Sequence, residues 1–160
     1  MTQPQCVILI GLQAAGKTTF FRERFASTHR HVSKDNFPGA RNRDARQAAL
    51  VETALRDGNS VVVDNTNATL ADRKGVIDIA HRLGARVIGY YFDSTRRISL
   101  GRNRRREGKA RVPDVAILAT AKRFVPPSPA EGFDEIHTVR LTDAGTFEVE
   151  PYLPGSGRTS

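Results

Sequence analysis

The stretch Gly11-Leu12-Gln13-Ala14-Ala15-Gly16-Lys17-Thr18 constrains this chain more than any other. The apolar run Cys6-Val7-Ile8-Leu9-Ile10 precedes it and Thr19-Phe20-Phe21-Arg22-Glu23-Arg24-Phe25 follows. That order reads as a buried strand, a glycine-containing loop and the start of a helix. It matches the phosphate-binding loop G-x-x-x-x-G-K-[ST] in the context the motif requires. Backbone N–H groups from Gly11, Ala14, Ala15, Gly16, Thr18 and Thr19 can wrap a phosphate only if β-carbons stay out of its way. Lys17 reaches the β- and γ-phosphates, and the Thr18 hydroxyl is a Mg²⁺ ligand. The partial positive charge of the helix N-terminus falls where the anion sits.

A loop of this kind needs a sheet behind it, and the chain supplies one. Strands are expected at about residues 5–10, 31–33, 60–64, 86–92 and 135–141, with helices between them. The run Val61-Val62-Val63 is continuously apolar, as suits a parallel strand buried on both faces. Phe20, Phe21 and Phe25 are expected to be the buried face of a helix ending near Ser27-Thr28. In the helix at about residues 44–57, Ala48, Val51 and Leu55 share one face, and Gly58 is a candidate left-handed cap. Thr69 with Asp72 resembles a capping box, and Ser94 is a candidate cap for the helix after the fourth strand. Residues 146–149 form a weak candidate for an extra edge strand. Strands alternating with helices imply a three-layer α/β fold: about five parallel strands, helices on both faces and an arginine-rich lid at about residues 102–113. The expected domain is residues 1–150, followed by a flexible tail at 151–160.

Charge adds a second constraint. The formal net charge is +8, and residues 96–111 carry eight basic side chains against Glu107 alone, a net +7. Such a concentration reads as an anion-binding element. A single cysteine, Cys6, excludes an internal disulfide framework and reads as core. The first residues lack the pattern of a signal peptide, and no apolar run approaches membrane-spanning length, so a cytoplasmic protein without a membrane partner is expected. Oligomeric state is not legible.

In open α/β sheets, ligands bind beyond the carboxyl ends of the strands. The phosphate loop, Asp35, Asp64 through Asn67 and Asp93 all fall at such ends, so they should share one rim. Phosphoryl transfer needs held phosphates, neutralised charge and an activated acceptor. The loop and Mg²⁺ meet the first need and the arginine-dense segment can meet the second. Arg102 and Arg106 are four apart, so a helix would present both on one face. Asp35 follows a short strand and precedes Phe37-Pro38-Gly39, on the rim facing the phosphates, where a carboxylate can take a proton from a hydroxyl. Asp64 could serve the metal-water shell or the acceptor site, or buttress an arginine.

Five blocks carry a more specific likeness. Val32-Ser33-Lys34-Asp35, Glu52-Thr53-Ala54-Leu55, Val63-Asp64-Asn65-Thr66-Asn67, Asn103-Arg104-Arg105-Arg106-Glu107 and Pro129-Ala130-Glu131-Gly132-Phe133 together resemble the polynucleotide 5′-hydroxyl kinases, most of all the kinase domain of the polynucleotide kinase/phosphatase family. The resemblance spans about residues 7–139. It implies that Asp35 is the general base for a polynucleotide 5′-OH. It implies that lid arginines grip the donor phosphates, Arg106 first, with Arg102 or Arg104 assisting. It also implies an arginine at the acceptor phosphate, for which Arg41, Arg43 and Arg46 are the contenders. Asp64, with Asn65, Thr66 and Asn67 of the same element, would order the acceptor side. Members of that family often carry a phosphatase, ligase or other repair domain, for which this chain has no room.

The leading expectation is a Mg²⁺-dependent kinase that moves the γ-phosphate of ATP or GTP to a DNA or RNA 5′-OH end, with Lys17, Asp35 and Arg106 as its catalytic residues. A kinase of a small-molecule acceptor, such as a sugar, metabolite or antibiotic, shares the loop, the rim acid and the arginine lid. A nucleotide-binding module without transfer is the third reading, and it needs no acceptor base at Asp35.

Overall fold

The computed structural model describes residues 2–153. Its frame is one sheet of six strands, β1 (Gln5–Ile10), β2 (His29–Val32), β3 (Ser60–Asp64), β4 (Arg86–Phe92), β5 (Glu135–Leu141) and β6 (Phe147–Pro151). The spatial order is β2-β3-β1-β4-β5-β6. The first five strands are parallel, and β6 pairs antiparallel with β5, from Leu141↔Phe147 to His137↔Pro151. The sheet therefore has one strand more than expected, because the weak 146–149 signal is a real edge strand that ends on Pro151.

Alternation along β1 divides the core between the two faces. Cys6, Ile8 and Ile10 pack with Val51, Leu55, Val76 and Ile77. These come from β1 and from α2 (Arg43–Arg56) and α3 (Leu70–Arg82). Val7 and Leu9 face the other way, onto Phe20 and Phe21 of α1 (Lys17–Arg24), Phe92 and Phe147. Phe20 is the hub there, with ring centroids 5.3 Å from Phe92 and Tyr90 and 5.2 Å from Phe147. Two further helices, α4 (Arg96–Arg104) and α5 (Asp114–Arg123), contact each other.

Several local expectations are revised. α1 stops at Arg24, short of residues 27–28, because the N–H groups of Thr28 and His29 both turn back to the Phe25 carbonyl. That turn lets β2 begin at His29, and Ser33 then leaves the strand to cap a 3₁₀ turn at Lys34–Asn36. The helix after β4 is capped by Thr95 rather than Ser94: the Ile98 N–H donates to the Thr95 hydroxyl at 3.2 Å. Thr69 and Asp72 do form a capping box, and Gly58 takes φ 82°. Of the tail at 151–160, Pro151 belongs to β6 and the Tyr152 N–H donates to the Ile136 carbonyl at 3.1 Å. Residues 154–160 lie outside the described residues. Among the described residues, no helix is long and apolar enough to cross a membrane.

Candidate active site

The phosphate loop joins β1 to α1 with the backbone its motif demands. Gly16 has φ 95°, and Ala14 takes a left-handed φ of 62°, which a non-glycine residue adopts only when the surroundings enforce it. Gly11 is required for space: a Cβ there would sit 2.8 Å from the Cβ of Phe92. Lys17 is buried and lies back over its own loop, donating to the carbonyls of Gly11 at 2.9 Å and Leu12 at 2.6 Å. Burial pushes its ammonium pKa down to about 8, against the opposing pull of the Asp64 carboxylate.

Asp64, at the end of β3, receives the Thr18 hydroxyl at 2.8 Å and the ring Nε2 of His31 at 2.8 Å on the same oxygen, Oδ2. Burial pushes its carboxyl up, but the two hydrogen bonds and the Lys17 charge outweigh that, so its pKa lies below the ordinary carboxylate value. The Thr18 hydroxyl and the Asp64 carboxylate are hard oxygen donors at the mouth of a phosphate loop, a donor set that fits Mg²⁺. His31 was not singled out in the sequence. It lies against Phe21, with ring centroids 4.4 Å apart, and its bond to Asp64 spans 33 residues, so no local pattern reveals it.

Asp35 lies in the 3₁₀ turn after β2. Its backbone N–H donates to the Ser33 hydroxyl at 3.2 Å, and its side chain is 94% exposed. Asp35 lines a cleft of about 620 Å³ together with Lys17, Thr18, Arg43, Asp64 and Arg106. Arg43, of the three acceptor-side contenders, approaches the Asp35 carboxylate, at 3.8 Å. Arg46 instead covers the Phe37 ring at 5.7 Å, and Arg41 is exposed.

The other members of the Asp64 loop divide by direction. Asn65 lines the cleft with its side chain already bonded: its Oδ1 accepts from Lys34 N at 2.9 Å, and its Nδ2 donates to Gln47 Oε1 at 2.6 Å. Asn67, with φ 47°, is buried and donates to the Leu9 carbonyl at 2.7 Å. Thr66 lines the cleft, and its carbonyl accepts from Gly11 N at 3.0 Å. Asn65 and Asn67 thus hold the loops together by bonds directed into the protein.

Arg102 and Arg106 do not share a face. α4 ends at Arg104, so Arg106 lies past the helix and turns into the cleft, donating to the Ala110 carbonyl at 3.0 Å. Arg102 lines a separate pocket of about 340 Å³ with Ala15, Asp93, Arg140 and Leu141. Arg104 is largely exposed, 4.0 Å from Asp114. The loop carrying Arg106 is held by Asn103, which is fully buried. Its Oδ1 accepts from Val112 N at 2.9 Å, and its Nδ2 donates to Val112 O at 2.6 Å. Neither Asn103 nor fully buried Arg73 was legible as a fixture. Arg73 forms a two-pronged pair with Glu131, at 2.8 and 3.1 Å, and donates to the carbonyls of Asn67 and Val125. A polar residue on a helix ordinarily signals solvent, and only the tertiary neighbours disclose that these two are enclosed.

The AAA domain family model matches residues 6–127. The bifunctional polynucleotide phosphatase/kinase of Schizosaccharomyces pombe is 27% identical over 139 residues, covering 84% of this chain and 33% of that protein. This chain thus spans about a third of the length of that relative. A fungal RNA kinase superposes with a TM-score of 0.67 at 21% identity, covering 89% of this chain and 40% of that one. A gluconokinase from Sinorhizobium meliloti superposes with a TM-score of 0.61 at 14% identity, covering 89% and 86%. At such identities the two structural likenesses establish the P-loop kinase fold.

Proposed function

This chain belongs to the AAA domain family, and from that premise we propose that it forms a phosphotransferase domain that moves the γ-phosphoryl group of a nucleoside triphosphate to a polynucleotide 5′-OH. The observation that carries the reading is the cleft itself: an exposed acidic side chain, Asp35, shares it with Lys17, Thr18 and Arg106. A nucleotide switch has no use for a solvent-open carboxylate in the phosphate cleft, whereas a kinase needs one to receive the acceptor's proton. The 27% identity to a polynucleotide phosphatase/kinase supports a nucleic-acid end as acceptor. So does the strongly basic chain, because phosphate contacts dominate affinity for nucleic acids.

In this mechanism the backbone of residues 11–18 holds the donor phosphates. Lys17 leaves the carbonyls of Gly11 and Leu12 to pair with them, exchanging two neutral acceptors for an anion. Thr18 and Asp64 would hold Mg²⁺, which neutralises phosphate charge when bound. Asp35 accepts the proton of the 5′-OH as its oxygen bonds to the γ-phosphorus and the bond to the β–γ bridging oxygen breaks, releasing the nucleoside diphosphate, and Arg43 orients that carboxylate. Arg106 offers its guanidinium to charge growing on the transferred group, where an always-charged, planar donor is most effective.

The direct test is incubation with γ-labelled nucleotide and Mg²⁺ together with a 5′-OH oligonucleotide, a 5′-phosphorylated control and a panel of sugars. Label on the 5′-OH strand alone is the expected result. Label on a sugar and on neither strand would replace the polynucleotide by a small-molecule acceptor.

A further inference from the structure

A second groove, of about 320 Å³, opens beside the cleft and shares Gln13, Asp35, Arg43 and Thr66 with it. Its volume is in the range of about 300–1,000 Å³ that holds small ligands. Its lining also includes Arg123, the last residue of α5, a residue the transfer chemistry leaves idle.

The charges in this groove are unequally committed. Lys34 is paired with Asp44, and Arg43 lies 3.8 Å from Asp35. Asp72 is used in its capping box, where its Oδ2 accepts from Thr69 N at 3.2 Å. Arg123 is exposed and has no ion-pair or hydrogen-bond partner among the described residues. α5 does not float relative to the site. Gln13 Nε2 donates to Thr120 Oγ1 at 3.0 Å, which ties the helix to the phosphate loop three residues before Arg123. Asp114, at its start, accepts from Asn103 of α4 at 3.3 Å. A free guanidinium is thus held on a fixed support in a groove that the acceptor base also lines.

Building on the polynucleotide reading, we propose that this groove takes the second nucleotide of the acceptor strand and that Arg123 pairs with its phosphate. A single strand entering with its 5′-OH at Asp35 would set its first phosphate beside Arg43 and continue along the groove to Arg123. An anion repeated at regular spacing uses both arginines. A monophosphorylated small molecule uses only the first. Arg123 is therefore a specificity determinant for acceptor length, acting through ground-state binding and not through the reacting atoms.

The experiment compares two acceptors, a nucleoside 3′-monophosphate and a dinucleotide bearing a 3′-phosphate, in the wild type, Arg123→Gln and Arg123→Lys. The wild type should show the lower KM for the dinucleotide. Arg123→Gln should raise that KM roughly five- to tenfold, with kcat and the monophosphate KM unchanged, and Arg123→Lys should recover part of the loss. With a longer single strand, the slope of log affinity against log salt should shrink by about 0.7 in Arg123→Gln, as one lost phosphate contact requires. If the wild type phosphorylates neither acceptor, the polynucleotide reading and this groove assignment both fall. If both acceptors are phosphorylated with the same KM ratio in wild type and Arg123→Gln, the kinase reading stands and the assignment of Arg123 is overturned.

Discussion

Lys17 and Asp35 face the same cleft in opposite conditions, one buried and one almost wholly exposed, and each condition has a measurable consequence. Burial brings the Lys17 pKa from 10.5 to about 8. Between those values the unfolded chain binds a proton that the native chain has shed, so this residue makes stability rise with pH across that window. A bound polyphosphate restores the proton by pairing with it. Binding of Mg²⁺-nucleotide at pH 8.5 should therefore take up a proton, seen as a dependence of the calorimetric enthalpy on buffer ionisation heat. Lys17→Met should lose that dependence, and a wild type that takes up no proton would contradict the account. Asp35, by contrast, has an almost wholly exposed side chain, so its removal costs the fold little. Asp35→Asn should leave the unfolding free energy from urea titration within about 0.5 kcal/mol of wild type and nucleotide affinity unchanged. Single-turnover transfer should fall by roughly 10²- to 10⁴-fold. A variant that retains its rate would remove Asp35 from the mechanism.

At the scale of elements, the lid shows what spacing could and could not convey. The concentration of positive charge at residues 96–111 is plain in the sequence, and so is the break after it at Gly108 and Pro113. The i, i+4 relation of Arg102 and Arg106 holds only while the helix continues, and α4 stops at Arg104. One residue of helix termination thus sends the two arginines to different pockets. The loop beyond is ordered by Asn103, whose amide takes both the N–H and the carbonyl of Val112. Asn103→Ala would leave those half-buried groups without this partner at a cost of about 1 kcal/mol. It would also loosen the loop that presents Arg106. The expected outcome is a lower urea midpoint together with slower single-turnover transfer. An unchanged rate in a destabilised variant would separate the loop's order from catalysis.

Across the whole molecule, the helices and loops around the sheet are joined by polar connections as well as apolar packing. Arg73 is the largest fully buried side chain, and it links α3, the Asn67 turn and the segment from Val125 to Glu131. Its removal leaves the Glu131 carboxylate with the Ser128 N–H but no cation, and strands two carbonyls. Arg73→Ala should lower stability by about 3–5 kcal/mol, whereas Arg73→Met with Glu131→Leu should recover much of the loss because no unpaired charge remains. Urea titration of the two variants decides between these outcomes; equal losses would mean that the hydrogen bonds to the Asn67 and Val125 carbonyls, rather than the avoidance of an unpaired charge, are what Arg73 supplies.

What the sequence determined by itself is contiguous or strictly periodic. The phosphate loop lies within eight residues, the apolar runs of β1 and β3 imply a parallel sheet buried on both faces, and Asp35 reaches the rim because a strand end carries it there. Such features depend on backbone geometry and neighbours in the chain. Tertiary structure alone decided the rest: that His31 and Thr18 meet on one oxygen of Asp64, that Asn65 and Asn67 turn inward, and that Arg43 among three arginines approaches Asp35. Each of these depends on where separate strands and helices bring their ends together. Side-chain direction at a loop or helix end is set by packing across the fold, which no local pattern of residues encodes.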